Sequence, residues 1–227
     1  MSRKRLAIGL SLLVVLGMGA VVARPLLFPR RMDVVSIKAS AAYQDPSLLA
    51  RAWQLPVAAE YAHAGEVFQP NVSFCGPTSA ANVLRTLGHP GATPQQVLEG
   101  TGKCTLGFCW GGLTLDQLAE VVRGNLKPPA GVQVLRGLSL EEFRQHLRHV
   151  NEPQRRYIIN FDRGPLFGTV GGHHSPIAGY LEQEDLVLVL DVNEKYRPWL
   201  VPTERLYQAM TTVDSSSGLQ RGLLLIE

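Results

Sequence analysis

Cys75, a histidine pair at His173 and His174, and Asp191 occur in that order along the chain. Together these residue types can perform acyl transfer: a base takes the thiol proton, and a carboxylate beside the base fixes its tautomer. Each has a plainer reading alone. Cysteine is among the most buried residue types, and a histidine or aspartate in a strand is commonly structural. The order and the elements carrying these residues must therefore bear the argument.

Cys75 opens "CGPTSAANVLRTLG", in which Ala80, Val83, Leu84 and Leu87 recur at three-and-four spacing, one face of a helix ended by Gly88 and Pro90. A helix N-terminus favours a thiolate through its unpaired N–H groups and its dipole. The histidines lie in "GGHHSPIAGY", and "LVLVLD" follows after the acidic, turn-like "LEQED". Residues equidistant from an antiparallel turn face each other. Position 182 is the midpoint of His173 and Asp191, and for His174 the midpoint falls between 182 and 183. Either histidine then starts one strand beside an aspartate that ends the next. A carboxylate at cross-strand range orients an imidazole and favours its charged form. His146 and His149 flank an Arg-rich helical stretch and read as solvated; His63 and His89 read as loop or terminus residues.

Other elements follow from capping and alternation. A short helical pattern surrounds "PSLLARAWQL". Thr93/Gln96, Thr114/Gln117 and Ser139/Glu142 have capping-box spacing, and Thr203 stands as a cap before "ERLYQAM". After residue 150, "RYIINF", "HSPIAGY", "LVLVLD" and the closing "GLLLIE" read as short strands. Helices before strands imply α+β. Cysteine on a helix N-terminus, with histidine and aspartate on a later sheet, is similar to the papain-like arrangement. In that arrangement a glutamine six residues before the cysteine donates its side-chain N–H to the oxyanion. Gln69 stands at that offset.

"FCGPTSAANVLRTLG", "GGHHSPIAGY" and "LVLVLDVNEKYRPWLVP" together resemble the catalytic domain of the phytochelatin synthase family, over roughly residues 45–215. The closer likeness is to its short prokaryotic members. The resemblance implies that Cys75 is the nucleophile, that His173 rather than His174 is its base, and that Asp191 orients it. It implies a γ-glutamylcysteinyl transfer on glutathione through a γ-Glu-Cys acyl-enzyme, with either water or a second glutathione as acceptor. No cofactor is obligatory; Cd²⁺ or Zn²⁺ would enter as a glutathione thiolate complex. Glutathione, its metal thiolate or an S-conjugate is the implied substrate, and a homodimer the implied assembly. The family's arginine shortly after the aspartate is Glu194 here, leaving Lys195 or Arg197 to compensate. That departure, and the absence of the extra cysteines tied to metal sensing, favour glutathione hydrolysis. Two other readings stay open. One is an exported papain-like peptidase on other peptides. The other is a non-catalytic metal or thiol binder, with Cys75 inert or ligating.

The 227 residues suffice for one domain or two small lobes. Basic "MSRKR" precedes 18 uncharged residues, Leu6 to Ala23, with small residues at Val21 and Ala23. That pattern implies export, either with cleavage after Ala23 or as an uncleaved anchor facing the bacterial periplasm. The expected organisation is a leader at 1–31, a linker at 32–44 and a catalytic domain at 45–227. Residues 1–31 carry six of the 22 Lys+Arg and no acid, which leaves 16 basic against 19 acidic residues, a net of −3. A nucleic-acid-binding face is excluded on that count, and membrane contact is expected only through the leader. Three cysteines in an oxidising compartment leave one unpaired. "CTLGFC" brings Cys104 and Cys109 close enough to bridge, and Cys75 is the remainder; a zinc site lacks paired ligands at the usual spacing.

Overall fold

The computed structural model describes residues 31–227 apart from Leu106 and Pro129. The expected leader, Arg31 excepted, lies outside the described residues. Among those described, no helix is long and apolar enough to cross a membrane.

Two short helices, α1 (Pro46–Ala52) and α2 (Pro56–Ala64), each begin on proline, whose missing N–H costs nothing at that position. Then come α3 (Cys75–Thr86) and α4 (Leu115–Asn125). After strand β1 (Val132–Leu135) and helix α5 (Leu140–Arg148) come β2 (Arg156–Asp162), the single turn α6 (Gly164–Phe167) and β3 (Gly172–Leu181). The chain closes with β4 (Leu186–Val189), β5 (Trp199–Pro202), α7 (Thr203–Met210) and β6 (Leu223–Ile226). Six strands form one antiparallel sheet in the order β1-β6-β2-β3-β4-β5. The class is α+β, as expected.

Both faces of the sheet are covered. Ile158, Ala178, Leu188 and Leu224 pack with α2, α3 and α4 on one side. Tyr157, Ile159, Ile177 and Val187 pack with Phe143 and Leu147 of α5 and Leu206 and Ala209 of α7 on the other. Successive strand residues thus enter different cores, which explains the unbroken apolar runs "LVLV" and "LLLI". Each of the Val, Leu, Ile and Phe side chains among these, fully buried, stabilises by about 1.5–3 kcal/mol.

Helix α3 departs from the one-faced pattern. Every residue from Cys75 to Leu84 is buried, because α3 runs between the sheet and the pair α2 and α4. Small residues make that fit possible; a Cβ on Gly76 would already touch Leu113 and Leu118. Capping boxes close at Thr114/Gln117 and Ser139/Glu142. Thr93 and Gln96 exchange the same bonds, but only a 3-10 turn, Gln96–Leu98, follows. Thr203 is the first residue of α7 and not its cap; Pro202 holds the cap position, and Thr203 Oγ donates to the Asp185 carbonyl.

The expected linker is a packed segment. Ile37 and Tyr43 are buried, the Tyr43 ring stacks on Trp199 at 6.4 Å, and the Tyr43 carbonyl accepts from the Leu200 N–H at 2.8 Å.

Candidate active site

Cys75 is the first residue of α3, and no side chain caps that helix end. It is the free cysteine, and it is buried. The loop before it is held firmly. Gln69 N–H donates to the Val192 carbonyl at 2.8 Å, fastening the loop beside Asp191. Asn71 accepts from Ser73 N–H and Ser73 Oγ, and donates to the Gly107 carbonyl. Ser73 Oγ in turn accepts from Cys109 N–H at 3.0 Å. Cys104 and Cys109 are joined as a disulfide, so a closed loop braces the segment leading into the nucleophile.

The hairpin brings His173 and Asp191 together, though not directly opposite each other. A 3-10 turn, Glu182–Glu184, with Asp185 at φ 51°, joins the strands, and the register shifts between Ile177 and Gly179. Ile177 faces Val189, so His173 lies four residues before that pair and Asp191 two beyond it. The contact is diagonal, within reach of an imidazole. His173 Nε2 lies 3.0 Å from Asp191 Oδ1.

Asp191 is wholly buried and gathers several donors. Arg163 Nη2 lies 2.7 and 2.8 Å from its two oxygens, Trp199 Nε1 donates at 3.0 Å, and Asn193 N–H donates at 3.0 Å. Burial alone would raise its pKa, but His173 and Arg163 hold it well below the usual carboxylate range. Burial and Arg163 work against a charged His173; Asp191 and Cys75 outweigh them and raise its pKa. For Cys75, burial pushes upward, yet hydrogen bonds and charge from His173 and His174 bring the thiol well below its ordinary value. A thiolate paired with an imidazolium is the state this environment favours.

The direct contact with the thiol belongs to His174, whose Nδ1 lies 3.8 Å from Cys75 Sγ. Behind it stand Asn160, paired across β2 and β3, and Arg221. A polar pocket of about 130 Å³ opens beside Cys75 and His174, walled by Asn160, Gly112, Asp214 and Arg221. A larger hollow lies elsewhere, between Leu84 and Asn125, and no cysteine lines it.

Gln69 is near in the chain, but its Nε2 donates to the Asn71 carbonyl at 3.0 Å and its Oε1 is buried without a partner. Lys195 and Arg197, named to compensate for the family's arginine, are both exposed, and Arg197 meets Glu194 at 3.5 Å. Arg163, from the turn after β2, supplies a cation at Asp191. His149 is exposed beside Glu152, whereas His146 is half-buried against the Tyr157 hydroxyl at 3.3 Å and is not freely solvated. Sequence reasoning missed Arg163, Asn160 and Arg221. The pairing of Asn160 with His174 would have been found by laying "RYIINFD" antiparallel to "GHHSPI". Among the described residues, no group of three or more His, Cys, Asp and Glu is placed to hold a metal.

Residues 31–223 match the family model described as phytochelatin synthase. The chain belongs to the phytochelatin synthase family. Among its relatives is "Glutathione gamma-glutamylcysteinyltransferase 3" of Lotus japonicus, 37% identical over 119 residues, which are 51% of this chain and 24% of that protein. "Glutathione gamma-glutamylcysteinyltransferase 1" of Triticum aestivum is 40% identical over 90 residues, 39% of this chain and 18% of that one. The Schizosaccharomyces pombe "Glutathione gamma-glutamylcysteinyltransferase" is 33% identical over 122 residues, 51% of this chain and 28% of its own. The match thus spans less than a third of each relative's length. Among solved structures, the peptidase domain of Streptococcus ComA aligns with TM-score 0.48 and 14% identity, over 70% of this chain and 93% of that one. This phytochelatin synthase-family chain has its free cysteine on a helix N-terminus against an antiparallel sheet that carries His173 on β3, with Asp191 two residues beyond β4.

Proposed function

We propose that this protein is a cysteine-dependent γ-glutamylcysteinyl transferase on glutathione, acting mainly as a hydrolase of its Cys–Gly bond. One observation carries this reading: in a chain of this family, a buried free thiol on the first residue of a helix lies against adjacent histidines, His174 at 3.8 Å and His173 held by Asp191 at 3.0 Å.

The thiolate of Cys75 attacks the carbonyl carbon of the Cys–Gly bond. The C–S bond forms as the C–N bond breaks, and the proton on His173 passes to the leaving glycine nitrogen. His173 then takes a proton from water as its oxygen attacks the thioester carbon, and γ-Glu-Cys leaves as the thiolate reforms. Gln69 and the Cys75 N–H are the proposed oxyanion donors. The polar pocket beside Cys75 suits the zwitterionic γ-glutamyl end of the substrate. A second glutathione, or its Cd²⁺ or Zn²⁺ thiolate, would compete with water as acceptor. Export fits both the leader pattern and the Cys104–Cys109 disulfide, which suits an oxidising compartment.

Mass spectrometry of products from glutathione, with and without Cd²⁺, tests the proposal. Wild type should release glycine and γ-Glu-Cys, and Cys75→Ser should release neither. Mainly (γ-Glu-Cys)ₙ-Gly oligomers would overturn the hydrolase preference, and cleavage of unrelated peptides with glutathione untouched would favour a general peptidase.

A further inference from the structure

The two adjacent histidines are held in opposite tautomers. His173 Nε2 faces the Asp191 carboxylate, which only accepts, so the Nε2 proton is fixed there and Nδ1 is left to exchange a proton with the thiol. His174 has the reverse arrangement. Arg221 Nη1 donates to Asn160 Oδ1 at 3.0 Å, which settles which end of that amide is oxygen. Asn160 Nδ2 then donates to the His173 carbonyl at 3.4 Å and to His174 Nε2 at 2.8 Å. A nitrogen that accepts from an amide carries no proton, so the His174 proton sits on Nδ1, the atom 3.8 Å from Cys75 Sγ.

We infer that His174 is a second catalytic histidine, a fixed Nδ1–H donor that stabilises the Cys75 thiolate while His173 alone moves the proton, and that Asn160 and Arg221 are its positioning residues. The inference rests on Cys75 being the nucleophile. It divides the work in a way that neither histidine could perform alone. A donor locked by Arg221 and Asn160 cannot serve as a base, and a base kept ready by Asp191 must give up its proton to the leaving group. Other ionisable groups around the thiol are accounted for. Asp191 and Arg163 act through His173, Arg221 is engaged with Asn160, Asp162 and Asp214, and Glu66 bears on Asp191.

The test reads the thiol itself. With Cys104 and Cys109 bridged, iodoacetamide alkylation of the full chain reports Cys75, and its pH dependence gives the thiolate midpoint. His174→Leu removes a hydrogen bond to a charged group and should raise that midpoint by about one to two pH units. Asn160→Leu, which releases the tautomer but leaves the ring, should raise it by less. His174→Gln retains an N–H donor and should fall between wild type and His174→Leu; if His174→Leu does not fold, His174→Gln and Asn160→Leu still decide the matter. An unchanged midpoint in these variants overturns the inference. No substrate enters this measurement, so a wrong choice of glutathione does not affect it. Turnover adds a second criterion. His174→Leu should keep measurable glutathione cleavage, with the acid limb of its pH profile shifted upward and the alkaline limb, where His173 loses the proton it gives to the leaving group, left in place, whereas His173→Ala should stay inactive at every pH. A His174→Leu enzyme inactive at all pH while His173→Ala turns over would reverse the two roles.

Discussion

Arg163 and Asp191 form a buried ion pair in which one guanidinium nitrogen lies 2.7 and 2.8 Å from the two carboxylate oxygens. The pair sets the charge of the whole centre. The Arg163 guanidinium also stands 3.9 Å from the centre of the Tyr196 ring, so its cation is held by an aromatic face as well as by the carboxylate. Asp191 thereby stays ionised at every working pH and is free to hold His173 in one tautomer.

Asp191→Asn should therefore do two separable things. The amide can present a donor to His173 Nε2 and so favour the wrong tautomer, with a loss in acyl transfer on the order of 10²–10⁴. It also leaves Arg163 buried beside a neutral group, and breaking a buried pair costs about 3–5 kcal/mol. Urea unfolding and glutathione turnover on the same preparation measure both. Full stability with lost activity would show that Arg163 finds another partner.

The pH dependence follows from three shifts with opposite signs. Asp191 has a depressed folded pKa, so its stabilisation is present above the unfolded value of about 3.9 and is lost as pH falls below it. His173 is raised, so its contribution is full below about 6.5 and fades as pH climbs through the folded value. Cys75 is depressed, so its contribution is full above about 8.5 and shrinks as pH falls toward the folded value. Between about 6.5 and 8.5 the histidine and cysteine slopes oppose each other. Urea midpoints should be nearly flat across that interval and drop in acid. In Cys75→Ser the flat region should tilt, losing stability as pH rises. A flat profile in both proteins would contradict a thiolate–imidazolium pair.

The residues of the centre differed in how readable they were. Cys75 could be placed because its helix start depends on local sequence, namely apolar spacing followed by Gly88 and Pro90. His173 and Asp191 could be placed together because one short turn joins their strands, although the 3-10 turn and the bulge made the contact diagonal. Arg163 and Arg221 could not be placed this way. Each reaches the site through a long-range contact, and no spacing in the chain announces a cation at Asp191 from a turn 28 residues earlier. Lys195 and Arg197 are near Asp191 in sequence, yet a loop beyond β4 turns both toward solvent. The same limit applies to β1 and β5, whose four residues each become strands only through pairing with β6 and β4.

The Cys104–Cys109 disulfide should matter to the site as well as to stability. It closes a loop that donates to Ser73, and Gly107 of that loop accepts from Asn71, so both residues before Cys75 lean on it. The double variant Cys104→Ser/Cys109→Ser should lose about 2 kcal/mol from chain entropy. It should also lose turnover at temperatures where it remains folded, because the segment leading into Cys75 is then less ordered. Thermal melting and turnover below the transition give the two numbers. Unchanged turnover would mean that Asn71 and Ser73 hold the segment unaided.

Gln69→Ala is the sharpest test of the oxyanion assignment. The Gln69 backbone is pinned to Val192, but its amide is turned to the Asn71 carbonyl, and must rotate to meet an oxygen that carries charge only during reaction. A donor that acts only on the transition state should change kcat and leave substrate binding alone. The expected result is a fall of about 10²–10³ in kcat with little change in KM. The alkylation midpoint of Cys75 should stay where it is in wild type, since Gln69 contributes nothing to the thiolate. A shifted midpoint alongside the lost turnover would instead mean that Gln69→Ala had disturbed the loop entering α3, and the oxyanion role would then have to pass to another donor.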